Sequence, residues 1–126
     1  MSGHVPTTDP LFPSRWLEIA ETVCARYYTE FPEQDERYGN RGRTYCVHDN
    51  AYLVAWLVGA LEDAGTDSFG SNVAWLRSVL ESRGFPMDAF GRNLDLVGEA
   101  VGAVRPGDAD RIRDLVAAAR SEGPAR

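Results

Sequence analysis

Apolar residues recur three and four positions apart through most of the chain, and no run shows the strict two-residue alternation of a half-buried strand. Proline and glycine divide this pattern into segments. Ser14 can cap a helix running to about Glu30, with Trp16, Leu17, Ala20, Val23, Cys24, Tyr27, Tyr28 and Phe31 forming a wide apolar stripe. Pro32 stops it, because proline lacks a backbone donor and disfavours helix in the residue before it. The polar stretch Glu33 to Arg43, with Gly39 and Gly42, reads as a short helix or turn. A long helix over about Thr44 to Ala64 is apolar nearly all round, the mark of a central buried helix, and Gly65 ends it.

Asp67 or Ser71 can cap a further helix through about Arg83, stopped by Gly84. Its buried side carries Val73, Trp75, Leu76, Val79 and Leu80. Pro86 suits the first turn of a helix reaching about Val104, and Pro106 opens a last helix to about Ser121, with Ile112, Leu115, Val116 and Ala119 as its stripe. The expectation is an all-α bundle of about six helices in one domain, residues 14–121. A flexible leader, residues 1–13, precedes it and a short tail, residues 122–126, follows it.

A length of 126 residues with 44% hydrophobic and 25% charged content fits one ordinary globular core. A core of this size needs neither disulfide nor metal to fold. The net charge of −6 disfavours nucleic acid and anionic membrane as partners, since both require clustered cations. All thirteen basic residues are arginine, which carries no functional signal of its own. The longest non-polar stretch, Ala51 to Leu61, has eleven residues, short of the roughly 20 that cross a bilayer. Met1 to Pro13 lacks the basic and apolar regions of a secretion signal. Cys24 and Cys46, without tight spacing, fit a reducing, cytoplasmic setting in which both are thiols, with a bond between them as the minor alternative.

The most informative segment is Arg41-Gly-Arg-Thr-Tyr-Cys-Val-His-Asp-Asn-Ala-Tyr52. On a helix Cys46, Asp49 and Leu53 share one side, while Tyr45, His48, Tyr52 and Trp56 share a neighbouring one. A thiol, an acid and an imidazole thus fall within one turn of a helix expected to be buried. An ionised carboxylate there is costly unless something pairs with it. In the plain packing alternative, Asp49 bonds an arginine such as Arg43 or a helix terminus, His48 is partly exposed, and Cys46 and the aromatic rings are core.

Cys46-Val-His-Asp49, followed by Tyr52, Leu53, Trp56 and Ala60, resembles the bilin-attachment helix of phycobiliproteins, the non-haem globins of light harvesting, whose pattern is Cys-x-Arg-Asp before a similar apolar run. Leu76-Arg-Ser-Val-Leu-Glu-Ser-Arg-Gly-Phe-Pro86 is similar to the family segment that begins Leu-Arg and ends Gly-Val-Pro. The likeness covers about residues 14 to 105. It is closer to the photoglobins, single sensor-type relatives sometimes associated with cobalamin-binding photoreceptor domains, because the helix pair used for light-harvesting assembly has no obvious counterpart.

The resemblance implies a globin-like fold and a linear tetrapyrrole ligand, biliverdin or a related bilin. Cys46 would take the attachment role and Asp49 would accept hydrogen bonds from the pyrrole nitrogens. His48 stands where the family has its propionate-pairing arginine, so Arg41 and Arg43 become the candidates for that charge. Tyr45, Tyr52 and Trp56 would pack on the rings. Haem fits poorly: the histidines are His4 and His48, and Asn72 to Arg83, where a globin's proximal ligand would lie, has none. No phosphate loop, Cys-x-x-Cys, Gly-x-Ser-x-Gly or His-Glu-x-x-His motif points to an enzyme or a metal site.

The function implied is a bilin-binding photosensor domain, not an enzyme, that signals to a partner protein, with cobalamin-binding proteins among the candidates. The resemblance leaves a homodimer open. Two competing expectations are a ligand-free helical regulatory domain of a signalling complex, and a helical cap over cobalamin, suggested by Trp75-Leu-Arg-Ser-Val-Leu.

Overall fold

A computed structural model describes residues 14–62 and 68–121, and all regular structure among them is helical. The expected leader, the tail, His4, the Asp67 cap and the Ala64–Gly65 helix end lie outside the described residues. Five α-helices follow one another: α1 (Ser14–Glu30), α2 (Pro32–Glu62), α3 (Ser68–Ser82), α4 (Met87–Val104) and α5 (Ala109–Ser121). A single 3-10 turn, Pro106–Asp108, precedes α5.

The Glu33–Arg43 segment, expected as a short helix or turn ahead of the long helix, is helical on either side of a kink: α2 consists of two helical stretches meeting at Gly39, whose backbone is non-helical at φ 63°, ψ −151°. Only glycine adopts such a conformation without strain, so the sequence permits a sharp kink there. Gly42 is needed for a different reason, since a side chain at that position would overlap the Cβ of Tyr38.

Helix ends follow the punctuation. Phe31 N–H donates to the Tyr27 carbonyl at 2.8 Å as α1 terminates before Pro32. Gly84 closes α3 in the left-handed region at φ 79°. Phe85 N–H then reaches back to the Leu80 carbonyl at 3.0 Å, which satisfies a carbonyl that the helix leaves open. Ser71 is not a cap: α3 already starts at Ser68, and the Ser71 hydroxyl donates to the Ser68 carbonyl at 3.2 Å. Pro86 sits just ahead of α4 with φ −65° rather than within its first turn.

The chain divides into two compact units, Met1–Ala55 and Trp56–Arg126, and the boundary falls inside α2. In the first unit, α1 and the early part of α2 bury Ala20 and Ala51, with Trp16, Leu17, Val47 and Ala55 packed around them. Small residues at the centre let two helices approach closely. Tyr27 is also buried, with the Tyr28 ring edge-on at 5.4 Å and the Phe31 ring at 4.9 Å.

In the second unit α3, α4 and α5 pack on one another, and the buried side chains of the unit include Leu57, Phe69, Val73, Leu94, Leu96, Val97, Val101, Ile112 and Val116. Each such side chain contributes about 1.5–3 kcal/mol by leaving water, so this apolar set holds the unit together. Gly98 sets the approach of α4 to α5, because a Cβ there would lie 3.1 Å from Val116 Cγ2 and 3.4 Å from Ile112 Cγ2. Arg77 is buried; it donates to the Ala119 carbonyl at 2.8 Å, and its guanidinium lies 5.3 Å from the Phe90 ring centre. The negative end of the α5 dipole thereby helps to balance a buried cation.

Candidate functional site

The face of α2 singled out in the sequence is largely open. Tyr45 is 59% exposed, and the side chains of His48 and Asp49 are 44% and 38% exposed. Asp49 is therefore not the deeply buried acid expected of it. The physical reason lies in helix register. From Asn50 to Val58 the buried positions are Asn50, Ala51, Leu53, Val54, Leu57 and Val58, an arc spaced one, three, four, seven and eight residues from Asn50. Asp49 falls at the edge of that arc, and its neighbour Asn50, only 2% exposed, takes the interior position.

Within the first unit, Tyr45, His48, Asp49 and Tyr52 still occupy one surface of the helix. His48 Nδ1 stands 3.7 Å from an Asp49 carboxylate oxygen, and the His48 and Tyr52 rings meet edge to face at 5.2 Å. Carboxylate, imidazole and phenol are thus presented together, partly hydrated. Such a surface offers hydrogen-bond acceptors and flat rings to a planar ligand or to a partner chain.

Cys46 is not a free thiol. It forms a disulfide with Cys24 of α1, with Cα atoms 6.1 Å apart, so the minor alternative of the sequence is the one the structure adopts. The consequence is direct: while that bond is intact, Cys46 has no thiolate to add to a tetrapyrrole. Asn50, which the sequence reading passed over, organises the pair. Its side-chain N–H groups donate to the Cys46 carbonyl at 3.0 Å and lie 3.4 and 3.5 Å from the sulfurs of Cys46 and Cys24. A polar residue four positions after a cysteine, beside an otherwise apolar run, was the available signal.

Arg43 is also committed elsewhere. Its guanidinium grips Asp35 with two bonds, Nε to Oδ1 at 2.7 Å and Nη2 to Oδ2 at 2.5 Å, across the Gly39 kink. This pairing holds the Asp35 carboxyl below the usual aspartate range, chiefly through the hydrogen bond from Arg43, and raises Arg43 in return. Tyr28 nearby is pushed up, first by burial and then by the Asp35 charge. Arg41 is exposed, and Trp56, partly buried, belongs to the second unit. The structure thus gathers four of the eight predicted residues on one face and places Cys46 and Arg43 in structural bonds.

The second unit contains a groove of about 520 Å³ between α4 and α5, in the size range of small-molecule sites. Ile112, Val116 and Gly98 line its floor, and Asp95, Glu99 and Arg120 are among its rim residues. None of the site residues predicted from sequence lines it. Its rim charges are engaged internally: Arg120 donates to Asp95 at 2.6 Å, and Glu99 receives Arg92 at 3.5 Å.

Among the described residues no group of three or more His, Cys, Asp or Glu side chains could hold a metal ion. No helix of the described residues is long and apolar enough to cross a membrane. Comparison with protein-family models, with curated proteins and with solved structures finds no match for this chain.

Proposed function

We propose that the chain is a globin-like helical binding domain, not an enzyme, and that the Tyr45–His48–Asp49–Tyr52 face of α2 takes an open-chain tetrapyrrole such as biliverdin and relays its state to a partner protein. One observation carries this: a carboxylate, an imidazole and two phenol rings are presented together where α2 enters its non-polar stretch, Ala51 to Leu61. The Asp49 carboxylate suits pyrrole N–H donors, which would form charge-assisted hydrogen bonds to it, while Tyr45 and Tyr52 offer faces for the rings.

Binding is non-covalent while Cys46 is bonded to Cys24. A propionate would be met by exposed Arg41, since Arg43 is held by Asp35. Light-driven isomerisation of the bilin would then alter the hydrogen bonds at Asp49 and shift the populations of α2 packing. Tryptophan quenching by added biliverdin tests the proposal: saturable quenching is expected, weakened about fivefold in Tyr52→Ala by loss of a ring contact worth about 1 kcal/mol. On unfolding without reductant the pigment should separate from the chain. Absence of saturable quenching contradicts the proposal.

A second reading, a ligand-free regulatory domain that docks on a signalling partner, is favoured by the half-exposure of Asp49. Water already solvates that carboxylate, so no ligand is needed to neutralise it. Under that reading the same face contacts protein, and biliverdin leaves the tryptophan signal unchanged.

A further inference from the structure

We infer that Cys24 and Cys46 form a thiol–disulfide exchange site with a fixed polarity, in which Cys46 receives an external thiol and Cys24 is the leaving sulfur. The difference in exposure sets this direction, and Asn50 supplies a donor to whichever sulfur leaves. Cys46 is partly exposed on α2, whereas Cys24 is only 5% exposed inside the first unit, so the Cys46 side of the bond is the more open to an attacking thiolate. Asn50 is buried and directs its amide N–H groups toward both sulfurs, at 3.5 Å from Cys24 and 3.4 Å from Cys46. Its third contact, to the Cys46 carbonyl at 3.0 Å, fixes the amide in that position. A buried leaving thiolate otherwise meets a low dielectric that disfavours its charge, and an N–H donor offsets that cost.

The exchange balances with a small dithiol as the reductant. One of its thiolates attacks Cys46 Sγ, the bond between the two cysteines breaks, and Cys24 departs with the electron pair as a thiolate. The second thiol of the reductant, as thiolate, then displaces Cys46 from the mixed disulfide. The reductant leaves as a disulfide, two electrons have passed to the protein, and both cysteines take protons from water. The reverse direction needs a disulfide of the same class, such as oxidised glutathione.

The site lies one helical turn before Asp49, so reduction releases a thiol beside the face proposed to bind ligand. That consequence alone rests on the proposed function, and the exchange chemistry does not.

The test uses the full chain and glutathione, a monothiol that stops at the mixed disulfide. Oxidised protein is treated with reduced glutathione, quenched with acid, and mapped by peptide mass. Glutathione should be found on the Cys46 peptide, in about tenfold excess over the Cys24 peptide. In folded Cys24→Ser, oxidised glutathione should modify Cys46 about ten times faster than it modifies Cys24 in folded Cys46→Ser. Equal labelling, preference for Cys24, or two free thiols in the air-oxidised chain each overturns the inference. The wild-type mapping stands even if a variant fails to fold, and it is read by mass, so it is independent of any pigment binding.

Discussion

Reducing the Cys24–Cys46 bond should destabilise the first unit by an amount set by the loop it closes. The two residues are 22 apart in sequence, and loop-closure entropy for a ring of that size amounts to about 3 kcal/mol. The perturbation is chemical, so no side chain changes. Cys24 and Cys46 keep their packing, and Asn50 keeps its bond to the Cys46 carbonyl, which leaves the freedom of the unfolded chain as the main difference. With a urea slope of about 1.5 kcal/mol/M for a chain of this size, the midpoint should fall by about 2 M when reductant is added. Urea titration followed by far-ultraviolet circular dichroism reads the shift. Amide exchange in α1 localises it to the unit that holds the bond. Oxidised and reduced midpoints within about 0.3 M of each other would refute the reasoning, because an unconstraining bond cannot hold α1 against α2.

Two further outcomes follow from the kink in α2. Gly39→Ala places a side chain at φ 63°, ψ −151° with no neighbouring atom to blame, so the cost is backbone strain of about 1–3 kcal/mol, readable as a lowered urea midpoint. Arg43→Gln should raise the pKa of Asp35 toward the ordinary aspartate value, measured by carbon-detected titration of its carboxyl. Pairing lowers the folded-state value, so the wild-type contribution is full above the ordinary aspartate range and fades as pH falls through the lowered one; in Arg43→Gln that dependence should vanish.

Much of the fold was readable from residue pattern. Pro32 ended α1, Gly84 ended α3, and the stretch before Pro106 ended α4, because these residues act through backbone geometry that local sequence determines. What escaped were features decided by contacts between distant residues. The Glu33–Arg43 segment is polar, and pattern alone gave no reason to attach it to the long helix. The Asp35–Arg43 pair, bridging the kink, is one tertiary reason that it does.

The candidate site was legible as a helix face but not in its degree of burial. A helix apolar nearly all round gives little indication of which arc faces inward, and a shift of one residue moved the interior position from Asp49 to Asn50. Residue counts and spacing also favoured two thiols. The approach of α1 to α2 at Ala20 and Ala51 brings those cysteines together, and that proximity is a property of packing.

The most direct measurement is the visible spectrum of the purified full chain mixed with biliverdin, recorded for wild type and Asp49→Ala. An acid that accepts the pyrrole N–H groups should produce a red-shifted band that depends on the protein, and the band should weaken and move back toward that of free pigment when the carboxylate is removed. A wild-type spectrum identical to free biliverdin, or an unchanged band in Asp49→Ala, would contradict the account.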